Sequence, residues 1–402
     1  MSSATSRLAL APTRLDLRSA DLPAVPIEGL YVHIPFCFHK CHYCDFYSIT
    51  RQTPQRMEAF VDLLLAEADL WAKRNAQPRT VFFGGGTPSL LPIDAMRRLI
   101  VGLRARFDFS RFDEWTIEIN PATADFDYCK MLRELGVDRL SFGAQSFDRD
   151  ELKTLERHHD PEDVARSVDL AQAAGFERLN LDLIYAIPGQ STESWRRSLE
   201  AALALGVSHL SCYGLTYETN TVIHVKRRLG HLIAADDDTE LSMFADARHT
   251  LAAQGLEWYE ISNYARPGEE CRHNLVYWSG GNYIGLGPSA ASHVGGHRFK
   301  NQPHLGEWER AVPNGSLPVV EHEILSQEQR IEERIMLALR LRRGVRFAEL
   351  SDIAQTPPAV TYAVPLAHLA KLGLITLNDQ GFALTETGLN VADGVAAELA
   401  KA

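Results

Sequence analysis

At 402 residues, 45% hydrophobic and 23% charged, the chain has the balance of a globular protein with material for two or three domains of roughly 150 residues each. Its 52 acidic against 41 basic residues give a formal charge of −11, which disfavours nucleic acid as the main partner, because a phosphate backbone needs a basic surface. No run approaches the roughly 18 apolar residues that span a bilayer, residues 8–11 are too short for a secretory signal, and six cysteines are too few for a disulfide scaffold; the expectation is a cytoplasmic protein with no transmembrane segment.

Residues 1–28 carry three prolines and no sustained apolar period, and read as a flexible N-terminal extension. From residue 29, short β-rich runs alternate with longer helical patterns. Strands are expected at 29–34, 80–83, 115–119, 139–142, 178–184 and 209–213. The stretch 57–73 places Met57, Phe60, Leu64, Ala68 and Trp71 on one helical face. Gly136, Gly175, Gly206 and Gly255 each stand between a helical segment and a strand, where a residue without a Cβ enters the left-handed region most easily. Repeated helix–Gly–strand units predict an α/β fold, an incomplete (β/α)6 TIM-like barrel over 29–220, with its chemistry at the C-terminal strand ends. A barrel extension follows over 221–311. Loop-like composition at 312–318 marks a boundary. Beyond it, helices at 331–341 and 364–372 and a hairpin at 374–385 suggest a small C-terminal winged-helix-like α+β domain over 312–402. Its acids, among them Asp352, Asp379 and Glu386, suit a structural or docking role better than DNA binding.

The first strand runs into Cys37-x3-Cys41-x2-Cys44. Three thiolates on one loop can hold three corners of a [4Fe–4S] cluster and leave the fourth iron open. The alternative is structural zinc, with His33, His39 or His42 completing a Cys₃His set. Cys129, Cys212 and Cys271 stand apart and read as small buried hydrophobes. After the second strand, Gly84-Gly85-Gly86-Thr87 offers bare backbone to a ligand, without the Lys-Ser/Thr of a phosphate loop. Glu118 and Asp182 lie near the ends of apolar strands, where a carboxylate can accept ribose hydroxyls or be held by a neighbouring Arg or Lys. In Arg272-His273-Asn274-Leu275-Val276-Tyr277-Trp278, an imidazole beside two aromatic rings offers an iron ligand and a flat platform; the alternative is a hydrogen-bonded loop histidine beside core aromatics.

The segment from Tyr31 through Cys37-x3-Cys41-x-Tyr43-Cys44 resembles the cluster motif of radical S-adenosylmethionine (SAM) proteins, and more narrowly the oxygen-independent coproporphyrinogen III oxidase-like family. The resemblance runs from about residue 28 to the C-terminus. It implies a [4Fe–4S] cluster on the three cysteines, SAM chelating the open iron, and an electron donor for the cluster. It also implies SAM contacts from Tyr31, Gly85, Gly86, Thr87, Glu118, Gln145, Arg157 and Asp182. Two departures weigh against the decarboxylase itself: Phe46 stands where that enzyme carries a fourth cysteine, and the segment before the cluster is short. The His-Asn-x-x-Tyr-Trp sequence is instead similar to that of the heme-chaperone (HemW) branch. That likeness implies heme as a further cofactor, contacts from His273, Tyr277 and Trp278 with His273 on the iron, and delivery of heme to an acceptor, for example a membrane-associated respiratory heme protein. The competing expectation is SAM-dependent oxidative decarboxylation of coproporphyrinogen III to protoporphyrinogen IX.

Overall fold

Runs buried at nearly every position, such as those at 29–34, 80–85 and 114–119, suit strands that are covered on both faces. In the computed structural model, which describes the backbone of 13–15 and residues 22–74 and 76–401, these runs form the middle of a 13-stranded sheet. Its strands are β1 (Thr13–Leu15), β2 (Gly29–Ile34), β3 (Thr80–Gly85), β4 (Glu114–Ile119), β5 (Arg139–Gln145), β6 (Arg178–Tyr185), β7 (His209–Gly214), β8 (Glu257–Glu260), β9 (Asn263–Ala265), β10 (Tyr283–Leu286), β11 (Ala291–Val294), β12 (His297–Asn301) and β13 (Leu317–Ile324). The spatial order is β1-β13-β12-β11-β10-β2-β3-β4-β5-β6-β7-β9-β8. Strands β2 to β7 are parallel and adjacent in chain order, and a helix crosses over between each pair. This is the expected (β/α)6 unit. The outermost strands β1 and β8 do not pair, so the sheet stays open.

Helix α1 (Pro54–Ala72) starts where the Thr53 hydroxyl accepts the Arg56 amide and Pro54 takes the first turn, where its missing N–H costs nothing. Its face of Phe60, Leu64, Ala68 and Trp71 is buried against the sheet, as the 3.6-residue spacing predicts. Buried with it is an acid, Glu67. It accepts from the Gly287 amide (2.7 Å), Asn301 Nδ2 (2.9 Å) and the Trp308 indole (3.1 Å). Burial pushes its pKa up to about 8, so it crosses neutral pH as an uncharged carboxyl. Through these bonds Glu67 ties the extension to the barrel. Strand β10 lies parallel to β2, and the glycine-rich turn after it packs on protein: a Cβ on Gly287 would sit 2.5 Å from the His33 carbonyl oxygen.

Beyond the boundary expected at 312, β13 returns to the large sheet and pairs with β12 and β1. The Pro- and Gly-containing stretch before it is a corner within that sheet. The smaller three-stranded sheet belongs to the residues that follow, with helices Gln327–Leu339 and Ala363–Lys371 and the hairpin Ile375–Asn378/Gly381–Leu384. Of the N-terminal stretch, residues 1–12 and 16–21 lie outside the described residues; Thr13–Leu15 pairs with β13, and Leu22 and Ile27 are buried in the core.

At the N-terminal ends of the strands a buried ionic network fixes the barrel floor. Arg178 reaches Glu114 (2.8 Å), Asp138 (2.9 Å) and Glu269 (3.2 Å). The Glu114 carboxylate also accepts the amides of Arg272 (3.0 Å) and His273 (3.1 Å), the first turn of the short helix Arg272–Trp278. Burial alone would raise the Glu114 pKa, but Arg139 and Arg178 hold it below the ordinary value. Removing one partner of such a buried set leaves the other charges uncompensated. Glu114→Ala is therefore expected to lower stability by about 3–5 kcal/mol, read as a lower denaturant midpoint; a change within experimental scatter would show that the network carries no net stability.

Candidate cluster and cofactor site

The cysteine loop leaves β2 and is closed at its base by Cys37 N–H to the Ile49 carbonyl (2.9 Å) and Ile49 N–H to the Pro35 carbonyl (2.7 Å). It docks on the end of β3, where the Gly86 amide donates to Ile34 O (2.9 Å) and the Thr87 amide to Phe36 O (2.7 Å). These contacts explain the glycines. Gly85 has φ +103°, and a Cβ there would meet the His33 ring at 2.4 Å; one on Gly86 would meet the Phe36 carbonyl oxygen at 2.6 Å. The close approach that glycine permits here is that of the cysteine loop itself. It sets Cys37 Sγ 3.6 Å from the Thr87 hydroxyl.

The thiols are free and partly buried. Burial raises the pKa of Cys37, and that of Cys44 to about 11, so a bound metal must displace their protons. Tetrahedral zinc with Zn–S bonds of ~2.3 Å would gather its sulfurs to about 3.8 Å from one another. Here the three sulfurs are not all within 4.8 Å of one another; the set that is so gathered, among the described residues, is His39, Glu156 and His158. A cubane holds one thiolate per iron at separate corners, and three cysteines on one loop can supply three of these and leave one iron without a protein ligand. Two of the histidines suggested as fourth zinc ligands, His33 and His42, are otherwise engaged. His33 Nε2 donates to Tyr47 O (2.9 Å) and its Nδ1 accepts from the Tyr31 hydroxyl (3.1 Å), with burial drawing its pKa down to about 4. His42 bonds the Lys226 ammonium at 3.2 Å.

Around this loop the C-terminal strand ends bring together most of the residues expected to hold SAM. Arg157 Nη2 donates to Asn120 Oδ1 (2.8 Å) and Gly143 O (2.7 Å), and Nη1 lies 3.6 Å from Cys41 Sγ. Its buried Nε has no acceptor among the described residues, the kind of donor a ligand carboxylate satisfies. Gln145 follows a register shift between β5 and β6 and adopts φ +65°, left-handed for a side-chain-bearing residue; a Cβ on Gly143 would meet its amide nitrogen at 2.8 Å. Ala122, Glu156 and Ala186 also have positive φ, so strained backbone gathers at this end of the strands. Asp182 accepts from Asn180 (2.9 Å) and Ser141 (3.3 Å). Glu118 accepts the Gly85 amide at 3.2 Å; burial first and the neighbouring Asp182 second push its pKa up to about 8. Two desolvated acids facing each other are stabilised by a cation, and SAM carries positive charge. Sequence reading missed Asn120, Ser141 and Asn180. The signal for Asn180 was present, a polar residue two places before Asp182 inside an apolar strand.

The expected heme residues are not at this end. His273 is fully buried, its ring stacked on Phe82, a β3 side chain, at 5.3 Å. The Thr80 hydroxyl donates to the Glu28 carbonyl and lies 2.8 Å from His273 Nδ1; the Tyr277 hydroxyl lies 2.7 Å from Nε2. Both nitrogens are thus engaged and the ring is neutral, with burial lowering its pKa to about 4. Tyr277 packs edge-on against Tyr283 at 4.5 Å, and the Arg340 guanidinium covers the Trp278 ring at 5.4 Å. This arrangement is that of a hydrogen-bonded histidine beside packed aromatics rather than of an open iron ligand on a platform. These residues hold the barrel floor and the C-terminal unit, the alternative the sequence left open.

Comparison with known proteins gives the family. The Radical SAM superfamily pattern matches residues 31–202, and the HemN C-terminal domain pattern matches 325–391. Proteins called heme chaperone HemW are similar along most of the chain. The one from Mycobacterium tuberculosis is 36% identical over 94% of this chain and 95% of its own length. That from Lactococcus lactis is 32% identical over 92% of this chain and 96% of its own. The Escherichia coli protein is 39% identical over 67% of this chain. In fold, the coproporphyrinogen III oxidase HemN of Escherichia coli superposes with a TM-score of 0.83 at 24% identity, covering 95% of this chain and 92% of that one. The superfamily implies a [4Fe–4S] cluster and SAM. Cys37, Cys41 and Cys44 fit the cluster, and the polar pocket beside them fits SAM.

With Glu118 lining the pocket expected for SAM, binding is expected to depend on pH. Its raised pKa keeps a proton on the empty pocket at neutral pH, and a cation beside it favours the carboxylate. Binding at pH 7 is expected to release a proton, with affinity rising with pH up to about 8 and level above it. Calorimetry in two buffers of different ionisation enthalpy checks this. Equal heats in both buffers and an affinity flat across neutral pH would remove Glu118 from the site.

Proposed function

The chain belongs to the heme chaperone HemW family within the radical SAM superfamily, and from that premise we propose that it binds heme together with a SAM-ligated [4Fe–4S] cluster and passes the heme to an acceptor protein. The observation that carries the reading is identity of 36% extending over 94% of the chain to a protein bearing that name. The cluster loop supports it from the other side. Phe46 occupies the position at which the related decarboxylase carries its fourth cysteine, and it stands 61% exposed on the loop. In this proposal Cys37, Cys41 and Cys44 hold the cluster; Tyr31, Gly85, Gly86, Thr87, Glu118, Gln145, Arg157 and Asp182 line the SAM pocket. The bound cluster would supply an electron to SAM, and an electron donor would recharge it. His273 enters as a structural residue, because reaching an iron would cost it both buried hydrogen bonds. A reducing compartment such as the cytoplasm keeps the free thiols available for iron. No helix among the described residues is long and apolar enough to cross a membrane.

The second reading, oxidative decarboxylation of coproporphyrinogen III, has the shared fold in its favour. One experiment separates the two. The anaerobically reconstituted chain is expected to bind about one heme and to leave coproporphyrinogen III unconsumed with SAM and reductant; turnover of that substrate would favour the second reading. His273→Ala is expected to cost about 1–3 kcal/mol of stability through two lost buried hydrogen bonds, while the heme spectrum of the folded protein stays that of wild type. A changed spectrum would show that the ring leaves its pocket to bind iron.

A further inference from the structure

Beside the cysteine loop lies a group of side chains that neither the cluster nor SAM uses. His39 sits between Cys37 and Cys41. Glu156 and His158 flank Arg157 in the turn after the helix Arg149–Thr154. One ligand atom from each of the three lies within 4.8 Å of the other two. The two imidazole rings meet edge to face, centroids 4.5 Å apart and planes at 80°, and His39 Nε2 is buried with no hydrogen-bond partner among the described residues.

From this geometry we infer that His39, Glu156 and His158 form a second metal site, separate from the cluster, for one divalent transition-metal ion. Two imidazoles and a carboxylate are the donors that zinc, iron(II), cobalt and nickel accept, with positions left for water. An ion gives the orphaned His39 nitrogen its partner. Small movements close the set to bonds of ~2.0–2.2 Å, and His158 is exposed and can make them. The neighbouring groups leave the carboxylate available. His42 comes within 3.6 Å of Glu156, but its Nδ1 already lies 3.2 Å from the Lys226 ammonium and accepts from it. Arg157 is directed to Asn120, Gly143 and Cys41. Heme iron is the wrong occupant for the pair of histidines, because rings 4.5 Å apart leave no slot for a porphyrin between them. The ion would clip the cysteine loop to the turn that carries Arg157, fixing the guanidinium against Cys41. This inference does not rest on the heme-chaperone reading.

The test uses the full chain with its cluster already reconstituted and Co²⁺ as the probe. One Co²⁺ per chain should bind beyond the cluster iron, giving visible d–d bands without sulfur-to-cobalt charge transfer, since no thiolate takes part. His39→Gln and His158→Gln should each weaken binding at least tenfold while iron content stays at the wild-type value. The same Co²⁺ spectrum should persist in a Cys37→Ser/Cys41→Ser/Cys44→Ser variant, which has no cluster. Co²⁺ binding that survives both histidine substitutions, or that disappears with the cysteines, overturns the site, as does a loaded wild-type chain that takes up no Co²⁺.

Discussion

The site depends first on the backbone contact between the cysteine loop and the end of β3. Two amides, those of Gly86 and Thr87, hold the carbonyls of Ile34 and Phe36, and nothing larger than glycine fits at 86 because a Cβ would stand 2.6 Å from the Phe36 oxygen. That contact sets the direction in which Cys37 leaves the sheet. The paired backbone of Pro35, Cys37 and Ile49 then closes the loop, and Cys41 is brought under Arg157. An inorganic cluster requires its thiolates at fixed corners, so rigidity at the base of the loop matters more than any single thiol pKa.

The two ends of the parallel sheet divide the remaining work. At the C-terminal ends lie strained backbone, an unpaired guanidinium nitrogen and two acids whose charges are unfavourable together without a cation. At the N-terminal ends lies a satisfied ionic network around Glu114 and Arg178, with His273 bonded on both nitrogens. Binding energy is available where polar groups are left wanting partners, and stability comes where they already have them.

Much of this was legible in the sequence because the local rules and the fold agree. Glycines at helix ends, such as Gly175 at φ +91°, punctuate the chain where the parallel strands begin. The acids within apolar strands, Glu118 and Asp182, meet at the mouth as their positions suggested. Three things were hidden. The role of the three consecutive glycines depends on which backbone approaches them, a tertiary fact that a Gly-rich run cannot reveal. The loop-like composition at 312–318 that reads as a boundary forms a corner, because proline and glycine serve both, and β13 continues the large sheet beyond it. The histidine of the His-Asn-x-x-Tyr-Trp sequence has the composition of a ligand site, but a short helix capped by Glu114 carries it to the barrel floor. Residue type alone does not tell an open imidazole from a satisfied one.

The central claim is that the loop holds a [4Fe–4S] cluster whose open iron faces the pocket of Arg157, Glu118 and Asp182. The most direct measurement is the electron paramagnetic resonance spectrum of the anaerobically reduced, reconstituted chain with and without SAM. A reduced-cluster signal whose g values move when SAM is added is the predicted result, because SAM becomes a ligand of the fourth iron. A cluster signal unchanged by saturating SAM, or bound zinc in place of iron, would contradict it.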